Sequence, residues 1–379
     1  MAERLTPQRL FSDPPLTRGA PADLKFAPGG RFLTYRRAAA DDRDRMDLWR
    51  IDITSGDHAL FINAAELAAT SADVTALTAE ERAERERRRQ FSHGINQYQW
   101  HPDGDRLVIP MDGQVFLVQV DKQPREVIPL CPPGTRQTGL QLSPQGQFVS
   151  YVRDGDLYVT SIAQHHEQRL TQDAGDLVRN GLPDFLAAEE MHRFEGHWWS
   201  PDEKLLAFTK VDESPVAVSY RLEMDANGAR TIPQRYPYTG ATNPDVSLWI
   251  YDFDSGSTKR IWRNDEHDAY LARVHMGATG VLIQTQDRLQ QRLTLSVYDS
   301  DTATWLPIFE ERSSTWVNLH DDFRELATGR YLVSSEQAGT RQLVVVGQQA
   351  QPRYLQGPTH VNKVLAHDDH TCLLYTSDA

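Results

Sequence analysis

Short apolar stretches with alternating polar positions recur along the chain, and each follows the same tight-turn signal. The signal is an apolar or aromatic residue, a small or polar residue, a proline, a turn residue and usually a glycine. It occurs as FAPGG (residues 26–30), WHPDG (100–104), LSPQG (142–146) and WSPDE (199–203). Because proline presets φ at the first turn position and Asp, Gln or Gly suit the next ones, each unit is predicted to start with a chain reversal.

Two predicted strands follow each reversal. The first are RFLTYRR, RLVIPM, QFVSYVRD and KLLAFTKV, and the next are MDLWRIDI, QVFLVQV, DLYVTSI and SLWIYDF. Their period-2 alternation indicates β-strands, so each unit is predicted to be a small antiparallel meander. One meander cannot bury both of its faces, so neighbouring units are expected to stack. Turn-and-strand units at spacings of roughly 40 to 75 residues are typical of β-propeller blades.

Six such units and a seventh that is cut short are recognisable, the later ones being more degenerate. The predicted fold is therefore all-β, a β-propeller of seven to eight blades with the last ones incomplete, spanning residues 1–371. Two segments break the β pattern. Residues 75–91 carry many Glu/Arg pairs at helical spacing, and residues 183–194 place a proline before good helix formers. Both are predicted to be short inserted helices.

The composition is that of a globular protein, with 39% apolar and 25% charged residues among 379. A net charge of −13 argues against a nucleic-acid partner, which would favour a basic face. Two cysteines make no disulfide framework. No apolar run is long enough for a membrane span and no secretory leader is visible, so a cytoplasmic location is expected, or a periplasmic one if a leader was lost.

The last eight residues, CLLYTSDA (372–379), have an unusual feature. One DNA sequence that encodes them resembles the end of a transposon adaptor used for sequencing libraries. Residues 372–379 are therefore predicted to be a translated artefact, which fold reasoning should leave out. The alternative is a natural C-terminal strand.

Two adjacent glutamates, Glu189 and Glu190, are the candidates for binding chemistry. Taken alone they would indicate a solvated helix face. Their context changes this, because the residues form the pattern Glu-Glu-x-x-Arg-x-x-Gly-x-Trp-Trp-x-Pro, filled by Glu189, Glu190, Arg193, Gly196, Trp198, Trp199 and Pro201. The pattern resembles the double-glutamate helix of the dipeptidyl peptidase IV family, within the prolyl oligopeptidase clan. Residues 85–104, 236–244, 315–323 and 334–343 also resemble segments of its N-terminal propeller, closest to the cytosolic and bacterial branch.

The resemblance implies a function. Members of the family release dipeptides from free N-termini, with Pro or Ala in the penultimate position. It implies that Glu189 and Glu190 bind the α-ammonium of the substrate and that an arginine binds a substrate carbonyl. That arginine is assigned to Arg89, with Arg87 and Arg88 as open alternatives. It also implies peptide substrates as partners, a homodimer for the full-length protein, and no cofactor or metal.

The chemistry of an amino terminus supports this assignment independently. An α-amino group has a pKa of about 7.7–8.0 and is largely protonated near neutral pH. Two carboxylates converging on it form charge-assisted hydrogen bonds, which are stronger than neutral ones. An anchored chain end lies at a fixed distance from a nucleophile, so one peptide bond is presented for cleavage.

The chain contains no Gly-x-Ser-x-Gly, the nucleophile elbow of the clan's α/β-hydrolase domain. These residues are therefore expected to have no peptidase activity of their own. The alternative is a non-catalytic propeller that binds proteins as a scaffold. Three further groups of residues are expected to have structural rather than functional roles. Trp198 and Trp199 are expected to pack in a strand, His320 and Asp321 to lie in a turn, and HDDH (367–370) to form a solvated loop rather than a metal site.

Overall fold

The computed structural model describes residues 5–11, 20–69, 77, 82, 85–122, 124–225, 228–264, 269–326, 329–347, 350–355, 360–367 and 372–376. The chain divides into two compact units, Met1–Gln172 and Asp173–Ala379.

The first unit consists mainly of antiparallel sheets in which strands adjacent in sequence are adjacent in space. Its helices are α1 (Pro7–Leu10), α2 (Ala64–Ala68) and a helical turn at residues 85–87. The first sheet is β1 (Ala22–Phe26), β2 (Phe32–Ala38), β3 (Arg45–Asp52) and β4 (His58–Ile62), with β5 (His93–Gly94) parallel to β3. The second is β6 (Gln99–Trp100), β7 (Arg106–Met111), β8 (Gln114–Gln119) and β9 (Glu126–Pro129), and the third is β10 (Thr138–Leu142), β11 (Phe148–Arg153), β12 (Asp156–Ser161) and β13 (His166–Arg169).

The described residues of the second unit repeat this arrangement, and the helix α3 (Phe185–Glu189) is inserted in its first sheet. That sheet contains β14 (Val178–Asn180), β15 (His197–Trp199), β16 (Leu205–Asp212), β19 (Asp245–Asp252) and β20 (Ser257–Arg263), and a separate hairpin is formed by β17 (Val218–Asp225) and β18 (Gly228–Arg235). The next sheet is β21 (Ala269–Gly277), β22 (Gly280–Asp287), β23 (Arg292–Asp299) and β24 (Thr304–Arg312). It is followed by β25 (Arg324–Leu326), β26 (Arg330–Ser335), β27 (Gln342–Gly347) and β28 (Ala350–Tyr354), and then by the pair β29 (Val361–His367) and β30 (Cys372–Thr376).

The four predicted reversals are tight turns with the same geometry. In each, the fourth turn residue donates its N–H to the carbonyl of the first: Gly30 to Ala27, Gly104 to His101, Gly146 to Ser143 and Glu203 to Ser200, all at 2.9–3.0 Å. The fourth residue has a positive φ in every case, from +60° to +80°. Glycine adopts this conformation at little cost, so Glu203, in the fourth turn, is the exception among them.

Adjacent sheets of one unit bury their faces against each other. In β8, Phe116 and Val118 belong to a core shared with the first sheet, whereas Val115 and Leu117 belong to a core shared with the third. Since successive side chains of a strand point to opposite faces, such a strand must be apolar on both. This explains why the middle strands are nearly continuous apolar runs, and the all-β prediction of propeller blades is confirmed.

The insertion at residues 183–194 differs from the prediction. A helix over the whole segment is wrong: α3 ends at Glu189, His192 has a positive φ of 53°, and the backbone N–H of Arg193 turns back to the carbonyl of Ala187 at 2.8 Å. Of the other predicted helix, residues 75–91, eight residues lie outside the described ones, and the described part contains the helical turn at residues 85–87. None of the helices that the structure describes is long and apolar enough to cross a membrane.

The end of the chain forms part of a sheet. Strand β30 pairs with β29 in antiparallel register, with Val364 opposite Leu374. This pairing is compatible with either origin of residues 372–379, and the adaptor origin stays a prediction.

A buried carboxylate joins the last two sheets of the second unit. Asp322 is 2% exposed; its Oδ1 accepts the N–H of Val364 on β29 at 2.8 Å, and its Oδ2 accepts the hydroxyl of Ser334 at 2.7 Å and a hydrogen bond from Arg341. Burial by itself raises the pKa of the Asp322 carboxyl, but the Val364 N–H, the Ser334 hydroxyl and the Arg341 charge together hold it below its ordinary value. Asp322 therefore stabilises the folded state as an anion.

We expect Asp322→Asn to lower the free energy of unfolding by about 3 kcal/mol at neutral pH, because Arg341 loses its buried partner. The loss should be fully present above the pKa of the unfolded carboxyl, about 3.9, and should fade as pH falls through the lower folded pKa. Denaturant titrations between pH 3 and 7 measure both effects. The control is Asp301→Asn in an exposed turn, and an equally small effect of both changes would contradict the role of Asp322.

Candidate functional site

Helix α3 carries the two candidate glutamates and is only five residues long. Asp184 begins it: its backbone is extended, and its Oδ1 accepts the N–H of Ala187 at 3.1 Å, which is the N-cap interaction. Isolated helices of this length are unstable in water, so packing must hold α3 in place. The buried side chains of Ala187 and Ala188 supply the packed face.

Both glutamates lie at the end of α3 where carboxylates are least favoured. Glu189 is its last residue and half-buried, and Glu190 is its C-cap and exposed. The last turn holds no basic residue. Because the C-terminal end of a helix carries partial negative charge, acidic side chains there are destabilising by a few tenths of a kcal/mol or more. The two carboxylates therefore lie where a cation would be favoured.

An open cavity of ≈ 1260 Å³ in the second unit adjoins this helix end. Glu190 lines it together with Phe185 and Leu186 from α3 and with residues of the β17–β18 hairpin. Leu186 and Glu190 are four residues apart, so their side chains are neighbours on the surface of the helix. Among the described residues, none donates a hydrogen bond to the Glu190 carboxylate. Its charge is thus available to a ligand.

Aromatic rings form part of the wall of this cavity. The ring of Tyr236 meets Phe185 edge to face at 5.2 Å, and Tyr238 meets Tyr236 in the same manner at 4.8 Å. All three line the cavity, as does Arg288, which donates to the carbonyl of Ala241. Aromatic faces attract ammonium groups, so this wall is chemically compatible with a positively charged ligand.

Arg193, the arginine of the motif, is buried beneath the helix rather than exposed to a ligand. It is 3% exposed; its Nη1 donates to the carbonyl of Glu195 at 2.6 Å and its Nε to the carbonyl of Leu271 on β21 at 3.3 Å. Its Nη2 lies 3.5 Å from Oδ2 of Asp184. Burial lowers the pKa of the Arg193 guanidinium, and the carboxylates of Asp184 and Glu195 oppose that shift.

The remaining motif residues shape the backbone around α3. A Cβ on Gly196 would lie 2.4 Å from the backbone of Leu182. The two segments are brought together by Thr209 on β16, whose hydroxyl donates to the carbonyls of Leu182 and Gly196 at 2.8 and 3.1 Å. Only glycine fits at this approach.

The two tryptophans of the motif have packing roles. Trp199 is buried and stacks on Phe253 with ring centroids 5.3 Å apart. Trp198 packs against the core shared with the next sheet, and its ring lies 5.7 Å from the guanidinium of Arg193. The structural interpretation of this pair is thereby supported.

Arg89 lies in the first unit, at the end of the helical turn at residues 85–87. Its N–H donates to the carbonyl of Glu86 at 3.0 Å, and the N–H of Gln90 donates to that of Arg85 at 2.8 Å. This is the Schellman pattern, in which Arg89 takes the left-handed position with φ of 52°. The exposed Arg89 occupies a position at which glycine is preferred. Its assignment alongside Glu189 and Glu190 stays a prediction.

The other predicted polar residues lie elsewhere in the second unit. Arg273 donates to Asp321 at 2.8 Å, and Arg273, Asp321 and His320 line a small cavity of ≈ 140 Å³. Of HDDH, residues 368–370 lie outside the described residues. No group of three or more metal-binding side chains occurs in the described part of the chain.

Sequence reasoning missed the pairing of Asp184 with Arg193 and the aromatic wall. Asp184 directly precedes a run of helix formers, which is an N-cap signal. Two residues of the aromatic wall are visible in the sequence as Tyr-Pro-Tyr at residues 236–238, but nothing in the neighbouring sequence indicates that Tyr236 contacts Phe185.

Comparison with known proteins agrees with the family resemblance of the sequence motifs. The family model described as the dipeptidyl peptidase IV (DPP IV) N-terminal region matches residues 92–377. Dipeptidyl aminopeptidase B of Saccharomyces cerevisiae is 30% identical over 184 residues, which is 45% of this chain and 22% of that protein. A protein of Uncinocarpus reesii named "Probable dipeptidyl-aminopeptidase B" is 26% identical over 250 residues, which is 60% of this chain and 26% of that protein.

Among solved structures, the crystal structure of Porphyromonas gingivalis dipeptidyl peptidase 4 matches with a TM-score of 0.71 at 20% identity. The match covers 92% of this chain and 48% of that one. This likeness confirms the fold. The chain thus spans about a quarter of the length of the curated relatives it matches and about half of the solved structure.

We expect Gly196→Ala to destabilise the protein by about 1–3 kcal/mol, because the added methyl group must displace the backbone of Leu182. Gly175→Ala is the matched control, since a Cβ there meets nothing within 4 Å. Thermal unfolding of both variants measures the difference, and an unchanged melting temperature for Gly196→Ala would refute the close approach.

Proposed function

The chain belongs to the family of the dipeptidyl peptidase IV N-terminal region, and from this premise we propose that it is the substrate-recognition part of a serine-type dipeptidyl aminopeptidase. Its relatives are named dipeptidyl aminopeptidases, and the proposal extends that activity to the full protein. The proposed role of this part is to bind the free amino terminus of a peptide and to set the position of the bond that is cleaved.

The observation that carries the proposal is the placement of the two carboxylates at the end of α3. Glu190 faces an open cavity and has no donor among the described residues, and Glu189 precedes it in a turn without basic residues. A substrate ammonium bound at Glu190, with Glu189 as the proposed second carboxylate, would offset the unfavourable helix-end electrostatics. Binding energy at this site is therefore directed at a protonated amine rather than at a neutral group.

Anchoring the amine fixes the length of the product. A peptide held at its first residue presents one particular peptide bond to a nucleophile at a set distance, which is catalysis by orientation. In the proposed reaction a serine attacks the carbonyl of the second residue, and the peptide bond to the third residue breaks, so that the rest of the peptide leaves as an amine. Water then hydrolyses the acyl-serine and frees the dipeptide. We propose that proline or alanine is favoured as that second residue.

The nucleophile in this proposal comes from sequence beyond these 379 residues. No Gly-x-Ser-x-Gly occurs in them, and acyl transfer through serine needs that exposed turn in the α/β-hydrolase fold. We therefore propose that these residues bind peptide without cleaving it, and that the assays below require the protein translated from the complete reading frame.

We propose Arg89 as the second contact, donating to a carbonyl of the bound peptide. A left-handed arginine is a locally unfavourable choice, since glycine at the same position would remove a steric cost of roughly 1 kcal/mol. Glu203 and His192 share this conformation, so the support for Arg89 comes from its exposed side chain at the end of the arginine run rather than from its φ alone.

In the complete protein we expect Glu189→Gln and Glu190→Gln each to lower kcat/KM for Ala-Pro-p-nitroanilide by roughly a hundredfold or more, because the substrate ammonium loses a charge-assisted hydrogen bond to an anion. Glu310→Gln, at an exposed position on β24, serves as the control. Steady-state kinetics with circular dichroism on each variant separates lost binding from lost folding.

Glu189 and Glu190, taken together as the proposed site for the substrate ammonium, are called the amine clamp. The clamp would be disproved by a folded Glu190→Gln protein with wild-type kcat/KM. The same conclusion would follow if wild-type protein cleaved an N-acetylated substrate as fast as the free amine.

We expect Arg89→Gly to separate stability from function. The melting temperature should stay equal or rise, because glycine suits the left-handed position, while kcat/KM falls by about tenfold with the loss of a charge-assisted hydrogen bond. Arg87→Ala and Arg88→Ala are the comparison variants. A loss of kcat/KM confined to one of these two variants would assign the substrate contact to that residue instead. Parallel losses of stability and activity in Arg89→Gly would mean that Arg89 has a structural role.

A further inference from the structure

Resting on the proposed amine clamp, we infer that Arg193 is its positioning residue, and that its ion pair with Asp184 sets where Glu189 and Glu190 point. Arg193 does not line the cavity with Glu190. It acts through the short helix that carries the glutamates.

The contacts of Arg193 join three separate parts of the second unit. One guanidinium nitrogen donates to Glu195, in the loop after α3, and another donates to Leu271 on the adjacent sheet. The third is 3.5 Å from Asp184, the N-cap of α3. The backbone N–H of Arg193 binds Ala187 within the helix at 2.8 Å. One residue thus holds the beginning of α3, the loop after it and the neighbouring β21 together.

This bracing is needed because α3 has few other means of support. A five-residue helix does not persist alone, and two adjacent carboxylates at its C-terminal end weaken it further. Arg193 acts at both ends of the helix, since its backbone N–H closes the last turn on the carbonyl of Ala187 and its side chain pairs with the N-cap Asp184.

The ion pair with Asp184 also compensates the buried charge of Arg193. The carboxylates that act on the Arg193 guanidinium are those of Asp184 and Glu195. Asp184 thus serves as N-cap and counter-ion at once. Without Asp184, the buried guanidinium of Arg193 would lose its ion-pair partner and α3 would lose its N-cap at the same time.

The test uses the complete protein and two substrates, Ala-Pro-p-nitroanilide and propionyl-Pro-p-nitroanilide. The second is the same molecule without its α-amino group. A site built for the amine should discriminate between them by roughly 10⁴-fold in kcat/KM. Because both substrates are cleaved by the same folded molecules, their ratio does not change when a variant merely lowers the folded fraction.

Arg193→Lys keeps the charge but lacks the planar fork that donates to Glu195 and Leu271 and lies beside Asp184, so we expect discrimination to fall by at least about tenfold. Asp184→Asn retains the capping oxygen and the side-chain size but removes the counter-ion, and should act in the same direction with a milder effect on folding. The matched control is Arg263→Lys, on the exposed end of β20, with no expected change.

The outcomes separate this inference from the function on which it rests. If Glu190→Gln abolishes discrimination while Arg193→Lys and Asp184→Asn both retain it, the clamp stands and the positioning role is wrong. If wild-type protein does not discriminate at all, the clamp itself is wrong. A reduced ratio in Asp184→Asn supports the inference even where Arg193→Lys yields too little folded protein.

Discussion

Strand β8 buries both of its faces, and the stacking of the described sheets follows from that constraint. Val115 and Leu117 of β8 pack on one neighbouring sheet while Phe116 and Val118 pack on the other. No single meander can satisfy this, because its second face would remain in water at a cost of about 25 cal/mol per Å² of apolar surface. Sheets therefore stack within each unit, and their stability is shared between neighbours rather than held by any one of them.

Stacking fixes the strands and leaves the connections between them available for other purposes. The segment between β14 and β15 contains α3, and the segment between β16 and β19 contains the β17–β18 hairpin that lines the same cavity. The helix is supported from two stacked sheets, through Thr209 of β16 beneath its flanking segments and through Leu271 of β21 beneath Arg193. The candidate site thus takes its rigidity from the frame, since a five-residue helix has little of its own.

The sequence was most informative where structure is local. Proline-containing turns and alternating strands are set by neighbouring residues, and these predictions agree with the structure, in which all four turns close with the same backbone hydrogen bond. The β17–β18 hairpin was also within reach, because an Asn-Gly pair at residues 227–228 lies between two predicted extended segments. The features that local sequence patterns failed to predict depend on contacts made in the folded chain. The helix formers after Glu190 predicted a longer helix, but a backbone hydrogen bond from Arg193 to Ala187 ends it.

The residues proposed for binding share a property that packing alone does not explain. Glu189 and Glu190 lie at a helix end that favours cations, and Arg89 has a backbone conformation that favours glycine. Each arrangement weakens the local structure, and in each a commonplace substitution would remove the cost. Asp184 and Arg193 show the opposite case, because their charges are buried, paired and directed at holding the backbone. The charged residues thus fall into two groups. Asp184 and Arg193 stabilise the fold, whereas Glu189, Glu190 and Arg89 weaken it locally, and a bound ligand would stabilise the second group most.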